Sequence, residues 1–73
     1  MKTTRAAVAD LRREAGVRVT RYHEWTIVEY NGRFQVRWYQ EDLGIWHVWN
    51  PWADSLEEAE HICEKLEARA ENN

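Results

Sequence analysis

Few side chains in this sequence have the type and spacing that chemistry requires. Glu41 and Asp42 are adjacent carboxylates, the raw material of general acid/base work. They open the stretch Glu41-Asp42-Leu43-Gly44, which suits a turn for reasons of its own, because acidic residues order turns and glycine adopts positive φ. His61 and Cys63 are metal-ligand types, but residues i and i+2 of a helix point to different sides and do not readily share one ion. Cys63 falls on an apolar stripe and reads as a small core residue rather than a reactive thiol. His23 and His47 read as surface or sheet-face residues. The G-x-S-x-G, H-E-x-x-H, phosphate-loop and G-x-G-x-x-G patterns are all absent. The expectation is a protein that is not an enzyme and uses neither a metal nor a cofactor.

What stands out is the arginine and aromatic content between Trp25 and Trp52. That stretch holds all five tryptophans, Phe34 and two of the three tyrosines. The elements must decide which of these side chains meet. Asn31-Gly32 between alternating apolar runs is a strong hairpin signal, since both residues tolerate the positive φ of a type I′ turn. Its two-residue loop pairs Tyr30 with Arg33, Val28 with Gln35, Ile27 with Val36 and Trp25 with Trp38. Trp25, Ile27, Phe34, Val36 and Trp38 then form a core face; Thr26, Val28, Tyr30, Arg33, Gln35, Arg37 and Tyr39 form the other. A slip by one residue would bury Arg33 and Arg37.

The second turn carries Gly44 where a three-residue loop wants its left-handed residue. That loop pairs Trp38 with Val48, sends Trp46 and Val48 to the core, and places His47 and Trp49 beside Arg37 and Tyr39. A four-residue loop would reverse the parity and bury Ile45 and Trp49 instead. Asn50-Pro51 ends the strand.

The flanks read as helices. Residues 3–15 have Thr3 or Thr4 as cap, Gly16 as C-terminal stop, and a thin stripe of Ala7, Val8, Leu11 and Ala15. Residues 55–71 open with the capping box Ser55-Leu56-Glu57-Glu58 and carry the stripe Leu56, Ala59, Ile62, Cys63, Leu66, Ala70. Glu57, Glu60, Glu64, Glu67 and Glu71 run alongside as a solvated face. Val17 and Val19 share the odd parity of Trp25 and Ile27, so the first strand is extended back to about residue 19. The expected fold is α+β, a single small domain over residues 1–73 in the order α-β-β-β-α. Its strands span about 19–30, 33–40 and 45–49, a three-stranded antiparallel meander with the C-terminal helix on one face.

A core this small is marginal, and a lone cysteine gives no internal disulfide, so aromatic packing or a partner must supply the rest. No stretch is apolar enough to span a membrane or to serve as an export signal, and the expected compartment is the cytoplasm. The net charge of −3 is unevenly spread. Residues 1–21 hold six basic and two acidic side chains, and residues 22–73 hold four basic and eleven acidic ones.

Helix, three antiparallel strands and helix, over this length, resemble the double-stranded-RNA-binding domain. That family grips phosphate with lysines at the start of its second helix, where this chain has Ser55-Leu56-Glu57-Glu58, a sequence that would repel phosphate. Residues 25–70 also resemble the sheet-plus-helix module at the N-termini of some phage integrases, which implies DNA reading through the exposed sheet face. In size and style the chain resembles small phage accessory proteins that block a host enzyme, anti-CRISPR proteins among them.

The expected function is protein binding, as an inhibitor or adaptor, through the uncovered sheet face. Arg33, Arg37, Tyr39, His47 and Trp49 are the partner-binding set, since aromatic residues and arginine dominate interface hot spots. The alternative is a DNA binder using that face and the basic first helix; the acidity of residues 22–73 works against it. A homodimer through the aromatic face is a third reading. A fourth has the first helix cover the face and make it a second core.

Overall fold

The computed structural model describes residues 2–71, so the outermost residues of the 1–73 span lie outside the described part. The order is helix α1 (Thr4–Arg12), strands β1 (Val17–Tyr22), β2 (Trp25–Tyr30), β3 (Arg33–Gln40) and β4 (Ile45–Val48), and helix α2 (Leu56–Glu71). The four strands form one antiparallel sheet in sequence order. The α+β class is therefore as expected, and the three-stranded meander is corrected to four strands.

The extra strand comes from a break at His23-Glu24. Tyr22 pairs with Trp25, and His23 takes a φ of 55°. Histidine is among the few non-glycine residues enriched in that region. The hairpin also reverses the expected parity: Val17 and Val19 face the side of Val28 and Tyr30, not that of Trp25 and Ile27. The next hairpin follows the Asn31-Gly32 expectation, with φ of 53° and 77° at the two loop residues. Tyr30 pairs with Arg33, Val28 with Gln35 and Ile27 with Val36.

Each face of the sheet has a helix. On one side α2 packs on β2 and β3. Ile27, Val36, Ala53, Ala59 and Cys63 form the buried cluster there, with Trp25, Phe34, Trp49, Ile62 and Leu66 around it. The Ser55 hydroxyl accepts from the Glu58 N–H at 3.1 Å, and Glu58 reaches back to the Asp54 N–H at 3.0 Å, one residue before the expected partner. Tyr22 Oη donates to Glu64 at 2.9 Å and Trp25 Nε1 donates to Glu67 at 3.3 Å, so part of the glutamate face ties α2 to the sheet. After β4 the chain loops out at Pro51 and rejoins β3, where Phe34 and Ala53 exchange two backbone hydrogen bonds of 2.9 and 2.7 Å.

On the other side α1 packs on β1 and β3 and makes the second core. Ala7, Val8 and Leu11 are buried there, while Ala15 is exposed beyond the helix, which ends at Arg12. Thr3 caps α1 by accepting from the Ala6 N–H. The same face holds two buried polar residues, Thr26 and Gln35, beside Val28. Arg21 donates to the Thr26 hydroxyl at 2.6 Å and Arg37 Nε donates to Gln35 Oε1 at 2.9 Å. Those bonds remove the penalty that buried unpaired polar groups would carry.

Ile27 sits at the centre of the α2 core, 1% exposed. Ile27→Ala should cost roughly 2–5 kcal/mol, a lost contact plus a cavity. In a domain of this size each kcal/mol is worth about 4–8 °C, so thermal denaturation should show a midpoint at least about 8 °C lower.

Candidate functional site

The site is decided by the connection between β3 and β4. Gly44 has the expected positive φ, 67°, but the loop contains four residues. Gln40 pairs with Ile45, Tyr39 with Trp46, Trp38 with His47 and Arg37 with Val48. The Gly44 N–H donates to Gln40 O at 2.8 Å and closes the loop. Three- and four-residue loops can both end on a left-handed glycine, so the glycine alone does not separate them.

This register redistributes the expected partner-binding set. Arg33, Arg37 and Tyr39 lie on the α1 side, as expected. His47 and Trp49 do not join them; both lie on the α2 side. His47 stacks on Trp38 with ring centroids 5.3 Å apart and its Nε2 lies 2.7 Å from Gln40 Oε1. Trp49 packs against the α2 core and its N–H donates to Val36 O at 2.9 Å. Trp46 and Val48, expected in the α2 core, take the places beside Tyr39 and Arg37. Arg33 is exposed next to the Asn31-Gly32 turn, four residues along β3 from Arg37, or roughly 13 Å.

Arg37, Tyr39 and Trp46 form the floor of an open groove. Asp10 and Leu11 of α1, with Glu14 just beyond its end, make one wall, and Leu43 stands at the turn. The Tyr39 and Trp46 rings lie 5.1 Å apart and tilted by 58°. The α1 wall is held at its start by Glu41, whose carboxylate accepts from the Thr4 N–H at 2.5 Å. Thr4 is the first helical residue, so Glu41 answers both an unpaired amide and the positive end of the helix dipole. Lys2 pairs with Asp10, which also accepts from Arg13 at 3.3 Å. An apolar floor between arginine and carboxylates can hold a peptide that has apolar side chains and charges of both signs.

The opposite flank of α1 is different. Arg5, Arg12 and Arg21 surround a shallow cleft with Thr4 and Val8. None of the three forms a salt bridge among the described residues.

Cys63 is buried, and burial pushes its thiol up to about 11, which holds it protonated and unreactive near neutral pH. Among the described residues no three His, Cys, Asp or Glu side chains gather as a metal ion would need. Among them also, no helix is long and apolar enough to cross a membrane. Comparisons with protein-family models, curated proteins and solved structures find no match.

The Thr4 N–H bond holds the Glu41 carboxyl below its ordinary value of 4.5. The stability from this contact is complete above 4.5 and disappears as pH falls through the lower folded value. Melting curves of Glu41→Ala should therefore lie below those of the native chain at neutral pH, and the two should converge under acid conditions.

Proposed function

We propose that this chain is a protein-binding module, an inhibitor or adaptor, that engages its partner through the groove between α1 and β4. One observation carries the reading. Tyr39 and Trp46 pair with each other, half-buried, at the margin of the sheet in an open groove beside α1, with Arg37 next to them. Large aromatic rings and arginine in an open, partly desolvated groove are the anchors that concentrate binding energy, and each can be worth about 2 kcal/mol or more. Arg37, Tyr39 and Trp46 are the anchors in this reading. Arg33 lies outside the groove, and His47 and Trp49 act through the α2 core that supports β4. A lone buried thiol suits a reducing compartment such as the cytoplasm.

The Arg5, Arg12 and Arg21 cleft favours a second reading, contact with nucleic-acid phosphate on the far flank of α1. The acidic α2 and the net charge of −3 oppose it.

A photo-crosslinking residue at Leu43 should capture a protein in the source cells, and the same residue at Glu57 on α2 should not. The Tyr39→Ala/Trp46→Ala pair should abolish that capture and shift the melting midpoint by only a few degrees. The reading fails if capture survives the pair, or if the purified chain instead binds duplex nucleic acid in a salt-sensitive way that is lost with Arg5, Arg12 and Arg21.

A further inference from the structure

The sheet has two outer edges, and they are built differently. β1 carries Arg18 and Arg21, charged side chains of the kind that blunt an edge against pairing. β4 reads Ile45-Trp46-His47-Val48 and has no Asp, Glu, Lys or Arg. Helix α1 packs mainly on β1 and β3 and α2 on β2 and β3, so β4 stands at the margin of the helical cover. Apolar side chains remain exposed along it, Ile45 at 44% and Val48 at 39%.

The backbone of β4 specifies what can sit there. The Trp49 N–H points inward to Val36 O. In an antiparallel ladder the inward groups alternate, so Ile45 and His47 also face β3 while the N–H and C=O of Trp46 and Val48 face out. We propose that this edge pairs with the β4 edge of a second copy, antiparallel about a two-fold axis through His47, so that the two sheets become continuous.

That register satisfies all the outward groups at once. Trp46 pairs with the partner's Val48, and Val48 with the partner's Trp46, each exchanging both hydrogen bonds. Opposed residues share a face, so on the α1 side Trp46 covers the partner's Val48. On the α2 side Ile45 lies against the partner's Trp49. The two apolar side chains left exposed along β4, Ile45 and Val48, are the ones this pairing covers.

Charge selects the same arrangement. The acidic turn Glu41-Asp42 precedes β4, and the uncharged Asn50-Pro51-Trp52 follows it. Antiparallel pairing sets the acidic turn of one copy beside the uncharged end of the other, whereas parallel pairing would set the two acidic turns together. The two-fold axis is normal to the sheet, so both α1 helices lie on one side, and the two grooves become halves of one trough. The proposal goes beyond the groove reading and does not depend on it.

The test is sedimentation equilibrium of the full chain across a range of concentrations, with two variants. The native chain should reach twice 8.8 kDa. Val48→Pro removes an outward donor and leaves the β3 ladder intact, because proline is tolerated at an edge where its N–H would face solvent. It should sediment as a monomer with an unchanged circular-dichroism spectrum. Independently of that variant, His47→Cys should form a disulfide-linked dimer under mild oxidation, since the two Cα atoms at a non-hydrogen-bonded pair are close enough. Ile45→Cys, opposite the partner's Trp49, should crosslink far less. A native chain that stays monomeric at high concentration, or a Val48→Pro chain that still dimerises, overturns the proposal. So does crosslinking at Ile45→Cys as fast as at His47→Cys. Loss of crosslinking by Leu43 to another protein would count against the groove alone and leave these results standing.

Discussion

The structure depends on one register, that of the hairpin closed by Asn31 and Gly32. Both residues occupy positive φ, which a two-residue loop needs to match the twist of its strands. The register sets Ile27 directly opposite Val36, and these are the two largest apolar side chains fully buried among the described residues. It also sets Val28 opposite Gln35 and Thr26 opposite Arg37 on the reverse side. A slip by one residue would exchange the two faces. Helix α2 could then find no apolar surface, and the polar pairs under α1 would lose their partners.

The two faces are covered by different physics. Under α2 the contact is apolar, and tyrosine and tryptophan bond to glutamates at its rim. Under α1 the helix offers only Ala7, Val8 and Leu11. Two polar residues complete that second core because Arg21 and Arg37 satisfy them. Arg37 thus has two roles. Its Nε fixes the buried Gln35, and the same side chain lines the groove. The aromatic margin is open because α1 packs mainly on β1 and β3.

Much of this was legible in the chain. Asn-Gly named its own turn, and Ser55 with Glu58 named the start of α2. What was not legible has identifiable physical causes. His23-Glu24 turns the chain without glycine, proline or asparagine, so β1 and β2 read as one long strand. Gly44 signalled a left-handed residue but not the number of residues before it, and the difference of one exchanged Trp46 and Val48 for His47 and Trp49. The face with Thr26 and Gln35 read as solvent-exposed because its polar residues are matched only in three dimensions, by arginines five and two residues away. Of the expected partner-binding residues, Arg37 and Tyr39 therefore line the groove, while Arg33 stands off along β3.

The central claim is that the four-residue loop puts Trp46, and not Trp49, on the α1 side next to Tyr39. Cross-strand Hα–Hα contacts in solution test this most directly, because they are strong only between residues at non-hydrogen-bonded antiparallel pairs, whose Cα atoms are about 4.5 Å apart. The account predicts such contacts between Tyr39 and Trp46 and between Arg37 and Val48. Hα–Hα contacts between Tyr39 and His47 and between Arg37 and Trp49 would show the three-residue loop instead, and would contradict both the groove and the β4 edge described above.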